Sequence, residues 1–149
     1  MNDAAGASQV VFYSQLNNTP ALTLALCAWL DIEGRGLGDG TMSVFSSSNA
    51  LVGFAENGRD RVPAGVITFQ HIPEGDKVWI YQGYVLPEYR GRGIYRAMWN
   101  ELVLKSLELK VSKIEGATHV RNKAMRDVAR KLGRTETHIV LTFDVPSAQ

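Results

Sequence analysis

The hydrophobic pattern changes period across Val85–Arg96, and that change constrains the fold more than any other feature of the chain. Before it, Lys77 to Val85 reads as a strand. After it, Gly93 to Lys110 places Tyr95, Met98, Trp99, Leu102, Val103 and Leu109 on one broad arc of a helix. A strand therefore hands over to a helix through Val85-Leu86-Pro87-Glu88-Tyr89-Arg90-Gly91-Arg92-Gly93-Ile94-Tyr95-Arg96. Such a turn leaves backbone N–H groups without intrahelical partners at the positive end of the helix dipole, where a phosphate can accept them. Glycine at 91 and 93 lets the backbone approach a ligand closely, and Arg90, Arg92 and Arg96 add positive charge. The plain alternative is a glycine-bearing turn with solvated arginines.

The remaining segments group around this junction. Ser8 to Tyr13 is a short strand-type run ended by Asn17-Asn18. Thr19-Pro20 reads as an N-cap with proline in the first turn, and Ala21 to Ile32, rich in Leu and Ala, as the helix behind it. The glycine run Gly34 to Gly40 fits no phosphate-loop pattern and reads as a mobile loop near a site. Strand candidates follow at Met42 to Ser46, Leu51 to Glu56, Ala64 to His71 and Lys77 to Val85. Turn chemistry at Asn57-Gly58 and Pro73 to Asp76 makes the last three an antiparallel meander. Beyond the Gly93 helix come a strand over Ser112 to Ala117, a helix over Arg121 to Leu132 stopped by Gly133, and a closing strand over Thr137 to Val145. Counted with the meander, the order is β-α-β-β-β-α-β-α-β, an α+β pattern.

Composition enters as a set of exclusions. At 149 residues, 45% hydrophobic and 21% charged, the chain reads as one soluble domain spanning residues 1–149. Its single cysteine, Cys27, excludes an internal disulfide framework and leaves no Cys-rich metal site, and no metal is expected. The longest apolar stretch, Ala21 to Leu30, is about half a membrane span, and the opening residues Met1 to Gly6 carry no leader pattern, so a cytoplasmic protein is expected. Residues 1–75 hold three Lys/Arg against seven Asp/Glu, whereas residues 76–149 hold thirteen against eight. An anionic ligand belongs with the second half.

Two segments carry a resemblance. Val85 to Ile94 looks like the acetyl-CoA motif of the GNAT superfamily of N-acetyltransferases, written Q/R-x-x-G-x-G/A, with Arg90, Gly93 and Tyr95 on its defined positions. Asn122 to Gly133 is similar to that family's N-x-x-A-x-x-x-Y-x-K-L-G helix. The resemblance implies a GNAT-like α+β fold: a mixed central sheet with an antiparallel N-terminal meander, splayed parallel strands, and helices on both faces. It also implies acetyl-CoA as co-substrate. The amides from Arg90 through Gly91, Arg92, Gly93, Ile94 and Tyr95 to Arg96 would cradle the pyrophosphate. The backbone of Val85 and Leu86 would pair with the pantetheine arm, and Asn122 would hydrogen-bond near the thiol end. Three positions depart from the pattern: Tyr95 stands where Gly or Ala is usual, Ala129 where many members have the tyrosine that protonates the departing thiolate, and Arg134 where an aromatic is common.

The implied reaction is direct attack of a primary amine, on a small molecule or a protein, without an acyl-enzyme. A thiol leaving group near pKa 8.5 needs only modest acid help, so an alanine at 129 is tolerable; an alkylammonium near 10.4 is harder to deprotonate. Cys27, inside Leu24 to Trp29, reads as core and not as nucleophile. Family members often carry a glutamate base on one of the splayed strands, where this chain has Ala117. His119 is one candidate base, since Glu115, Ala117 and His119 would alternate onto one strand face; Tyr84 is the other. His71 and His138 read as structural. Asp31, Glu33 and Asp39 hint at a cationic acceptor. A catalytically degraded binding or regulatory module is the second reading. Nucleic-acid binding is the third, disfavoured because Tyr95 and Trp99 follow core periodicity. No membrane partner is expected, and an exposed sheet edge leaves a homodimer open.

Overall fold

The computed structural model describes residues 9–38 and 44–147. Its elements run β1 (Gln9–Tyr13), α1 (Pro20–Gly34), β2 (Asn49–Asn57), β3 (Asp60–Ile72), β4 (Lys77–Val85), α2 (Ile94–Leu109), β5 (Lys113–Gly116) and α3 (Lys123–Lys131). The chain divides into two compact units between His119 and Val120.

The first unit holds a five-stranded sheet in the order β1-β2-β3-β4-β5. Strands β1 to β4 pair antiparallel and β5 joins β4 in parallel. The α+β architecture and the meander are thus as the sequence implies. Gly58, at φ 66°, supplies the tight turn between β2 and β3. Thr19 caps α1, its side chain accepting the Ala21 N–H at 3.2 Å with Pro20 in the first turn.

Helices cover both sheet faces, and side-chain size decides which helix sits where. Under α1 lie Ala50, Val52, Val66 and Tyr84, packed with Ala21, Leu24, Ala25 and Ala28. The alternate positions Gly53, Gly65 and Gly83 lie beneath α2. A Cβ at Gly53 would stand 2.6 Å from Ile94, at Gly65 2.9 Å from Met98, and at Gly83 2.9 Å from Tyr95. Three glycines on three adjacent strands thus let the first turns of α2 settle close to the sheet. Cys27 is half-buried against the α1-side core, in keeping with a packing role.

Three sequence expectations are corrected in whole or part. Within Met42 to Ser46, residues 42 and 43 lie outside the described residues, as do Ser8, Asp39 and Gly40; Val44 to Ser46 form no strand. The strand over Ser112 to Ala117 is shorter, Lys113–Gly116. The strand over Thr137 to Val145 does not form: these residues belong to no helix or strand. A strand exists only through bonds to a neighbour, so strand composition alone does not make one. The second unit contains α3, capped by Asn122 Oδ1 on the Met125 N–H at 3.2 Å, and the Arg126–Glu136 ion pair at 2.6 Å.

Candidate functional site

The site begins where β4 loses a neighbour. Strand β5 pairs with β4 only from Lys77↔Lys113 to Ile80↔Gly116, so Tyr81 to Val85 have β3 on one side and, among the described residues, no strand on the other. The Lys77–Glu115 ion pair, 2.9 Å long and half-buried, ties the two strands where they run together. The opening coincides with a bulge: Thr68 faces Gln82 and Phe69 faces Ile80, leaving Tyr81 as the extra residue. Tyr81 stacks at a tilt on Phe45, ring centroids 5.1 Å apart.

Backbone polarity along the open edge follows from the register. The Leu86 N–H donates to Ala64 C=O at 2.8 Å. Antiparallel pairs alternate, so Val85, one residue earlier, turns its own N–H and C=O away from β3 and toward the opening. Gly83, two residues back, does the same. Of the two residues expected to meet a pantetheine arm, Val85 turns its N–H to the opening while its C=O accepts from Arg90 Nε, and the Leu86 N–H is committed to β3. Gly83 was not singled out by sequence; only the register reveals it.

Beyond Val85 the chain makes a single 3-10 turn, Pro87–Tyr89, and then the glycine loop. Gly91 and Gly93 both sit at φ 79°, a left-handed conformation costly for any other residue, while a Cβ at either would meet nothing within 4 Å. Backbone handedness, not space, is what requires glycine here. Gly93 is the N-cap of α2 and offers no side chain to its first turn. The first intrahelical bond runs from Ala97 N–H to Gly93 C=O at 3.0 Å, so the amides of Ile94 and Arg96 precede the ladder at the positive end of the dipole. Ile94 is buried, Arg96 exposed, and the Tyr95 ring packs on Gly83, so the bulky residue at the motif's small position is directed into the sheet.

The three arginines are not equivalent. Arg90 turns back: its Nε donates to Val85 C=O at 2.8 Å, and its guanidinium lies 5.3 Å from the Tyr84 ring centroid and 3.9 Å from Asp31. It clamps the strand end to the loop. Arg92 lies over the Tyr89 ring at 5.0 Å on the exposed side, and Tyr89 in turn accepts a 3.3 Å hydrogen bond from Asn57 at the β2–β3 turn. Arg92 and Arg96 are exposed at the helix start, as Arg90 is, but they do not turn back onto the strand end.

Tyr84 and His119 occupy different settings. Tyr84 is buried under α1, and its hydroxyl hydrogen-bonds to Asp31, which also pairs with Arg35 at 3.1 Å. Burial first, then the Asp31 carboxylate, raises its pKa above the usual phenol value, with Arg90 opposing. The phenol therefore keeps its proton to higher pH than an exposed tyrosine does. Asp31, expected to face a cationic acceptor, is instead committed to Tyr84, Arg35 and Arg90. His119 is half-buried three residues beyond β5. The alternation expected to align it with Glu115 and Ala117 ends at Gly116, because β4 and β5 part there. Among the described residues no group of three or more His, Cys, Asp or Glu is placed to hold a metal ion.

An α+β sheet that opens between parallel strands, next to a glycine-bearing helix start, is the framework of a CoA-dependent acyltransferase. The chain belongs to the acetyltransferase (GNAT) family, whose model matches residues 29–133. No curated protein sequence matches it. Among solved structures, it resembles an aminoglycoside acetyltransferase, HMB0005, from an uncultured soil metagenomic sample: 20% identity, TM-score 0.65, covering 95% of this chain and 99% of that one. The aminoglycoside N-acetyltransferase AAC(6')-Iy, in complex with CoA, is 17% identical with a TM-score of 0.62, covering 95% and 97%. A ribosomal-protein-alanine N-acetyltransferase from Brucella melitensis biovar Abortus 2308 is 17% identical with a TM-score of 0.64, covering 92% and 100%. At such identities the likeness is one of fold.

Proposed function

We propose that the chain acts over residues 1–149 as one N-acetyltransferase domain, moving an acetyl group from acetyl-CoA to a primary amine held beside it. The observation that carries this reading is the junction of the open β4 edge with the left-handed Gly91 and Gly93 at the start of α2. Acetyl-CoA supplies the acetyl group as a thioester. The residues around the junction fit such a substrate: amides at the helix start and the exposed Arg92 and Arg96 suit a pyrophosphate, and the Val85 and Gly83 backbones suit an extended amide-bearing arm. Arg90 positions Val85 more than it contacts phosphate. The family resemblance gives Asn122 a hydrogen bond near the thiol; its Oδ1 caps α3, which leaves Nδ2 for that role.

The amine attacks directly, and with Ala129 in place of the family's tyrosine the thiolate leaves with little acid help. Proton removal falls to His119, Tyr84 or ordered water, the raised pKa of Tyr84 making its ionised form scarcer at a given pH. The acceptor, a small molecule or a protein amine, is a cation before it reacts. The structural neighbours acting on aminoglycosides and on a ribosomal-protein alanine span both classes. Among the described residues no helix is long and apolar enough to cross a membrane.

The test is a thermal-shift titration of the full chain with acetyl-CoA, followed by thiol-release turnover on aminoglycosides and on peptides with a free α-amine. Ligand at 100 times its Kd adds about 2.7 kcal/mol of stability. No shift at millimolar acetyl-CoA sinks the reading. A shift without turnover on either acceptor class leaves a CoA-binding module.

A further inference from the structure

We propose that the turn between β2 and β3 belongs to the acetyl-CoA site: Asn57, acting through Tyr89, positions Arg92 for the pyrophosphate. The proposal rests on the reading of the chain as an acetyl-CoA-dependent enzyme and adds two positioning residues to it. Arg92 is exposed and stands between Gly91 and Gly93, both at φ 79°. Glycines on either side add backbone freedom, and a long arginine side chain adds rotamers of its own. Every conformation given up on binding weakens the complex. An arginine that is to meet a phosphate from such a loop needs a support.

The register supplies one. The last β3–β4 pair is Gly65↔Val85, so Asp60 to Ala64 run on past the end of β4, with the end of β2 paired to them. This overhang reaches roughly 15 Å at the rise of a strand. The Leu86 N–H, donating to Ala64 C=O at 2.8 Å, ties the start of the loop to its base. At its tip Asn57 Nδ2 donates to Tyr89 Oη at 3.3 Å, and the Arg92 guanidinium lies over the Tyr89 ring at 5.0 Å. Arg92 Nη2 also reaches Glu88 C=O at 3.4 Å. Adjacent residues thus pull in different directions. Arg90 goes to Asp31 on α1 and Tyr89 to the β2–β3 turn, which holds the loop from two sides.

The support has the right chemistry. An aromatic face attracts a guanidinium without occupying most of its N–H donors, which stay available to phosphate oxygens. A carboxylate in the same place would hold Arg92 as well but would cancel its charge. The distribution of cations agrees. Residues 1–75 hold only three Lys/Arg, and two of them, Arg59 and Arg61, lie at this turn. Arg61 is partly offset by Glu56 at 3.7 Å, and Arg59 adds to the field that an approaching anion meets.

The test uses the full chain. Tyr89→Phe keeps the ring and cuts only the bond to Asn57; Asn57→Ala cuts it from the other side. Each should raise the Kd for acetyl-CoA about two- to tenfold by calorimetry, with kcat nearly unchanged. The two together should do no more than either alone. In an Arg92→Gln background neither should matter, and S-acetylpantetheine, which has no pyrophosphate, should bind parent and variants alike. Without ligand, the Arg92 side-chain protons should be ring-current shifted in the parent NMR spectrum and less so in Asn57→Ala. A parent that gives no thermal shift with acetyl-CoA removes the underlying reading and the proposal with it. A parent that binds while both variants keep its Kd overturns the proposal alone. So does an effect that persists without Arg92 or extends to S-acetylpantetheine, or an Arg92 signal that Asn57→Ala leaves in place.

Discussion

The Tyr95 ring lies over Gly83: a Cβ built at Gly83 would stand 2.9 Å from both Cε2 and Oη of the tyrosine. This contact explains how a bulky residue can occupy the motif's small position. The side chain goes down onto β4, and the backbone at the start of α2 keeps its outward face. Gly83→Ala should therefore destabilise by about 1–3 kcal/mol through overpacking and weaken acetyl-CoA binding by tilting the helix start. In a double-mutant cycle with Tyr95→Ala, denaturant unfolding should give a coupling of at least about 0.5 kcal/mol. Additive losses would show that the two residues do not share the space.

Gly93→Ala tests the helix start itself. At φ 79° the substituted residue carries a left-handed penalty of about 1–2 kcal/mol. No contact is lost, since a Cβ there meets nothing within 4 Å. The expected result is a fold that survives with a raised KM for acetyl-CoA, read from steady-state kinetics. An unchanged KM would detach this turn from the cofactor.

The arginines should separate by role. Arg92→Gln and Arg96→Gln should raise KM for acetyl-CoA in a salt-dependent manner, with kcat nearly unchanged. Arg90→Gln loses the hold on Val85 C=O and on the Tyr84–Asp31 pair, so kcat should fall as well. Equal, purely KM effects at all three positions would contradict the clamp assigned to Arg90.

Tyr84 makes a pH-dependent contribution with a definite sign. Its pKa is raised in the folded state, so the folded chain holds the phenolic proton more tightly than the unfolded chain does. The associated stability is fully present below the ordinary phenol value near 10 and is lost as pH rises through the folded value. Phenolate absorbance should show a late-titrating tyrosine that Tyr84→Phe removes, and Asp31→Asn should move it earlier without restoring the ordinary value, because burial remains. A parent enzyme whose rate on an alkyl amine rises only above about pH 9.5 would indicate that no tuned protein base operates.

Asn122→Ala should fray α3 at a cost of about 1 kcal/mol, seen as faster amide exchange at Met125. Asn122→Asp keeps the capping oxygen but removes the Nδ2 donor. Intact exchange protection combined with a lowered kcat would support the proposed role near the thiol. Loss of activity only with Ala would reduce Asn122 to a cap.

The strand-to-helix junction was legible because its signals are local. Alternation in Lys77 to Val85, helical periodicity from Tyr95 to Leu109, and glycines whose left-handed φ angles no other residue adopts cheaply all act within a few positions of one another. Thr19-Pro20 and Asn57-Gly58 were legible for the same reason: a cap and a two-residue turn are short-range chemistry.

The errors lie where a distant partner decides. Thr137 to Val145 has strand composition, but a strand forms only against a neighbour, which composition does not specify, and these residues carry no strand. His119 was aligned with Glu115 by assuming that alternation continues, and only the parting of β4 and β5 at Gly116 ends it. That the Tyr84 pKa is raised follows from its burial and from α1 delivering Asp31 from a position 53 residues away in sequence.

By itself, then, the sequence determined the element order from β1 to α3, the glycine-bearing helix start and the family. Hydrophobic period, caps and left-handed glycines are properties of neighbouring residues. Only the tertiary structure decided which backbone groups face the opening, which arginine clamps and which stays free of the strand end, and which tyrosine is held neutral. Those depend on register, on burial and on charges brought together across the sheet, and none of these is written in any short stretch of the chain.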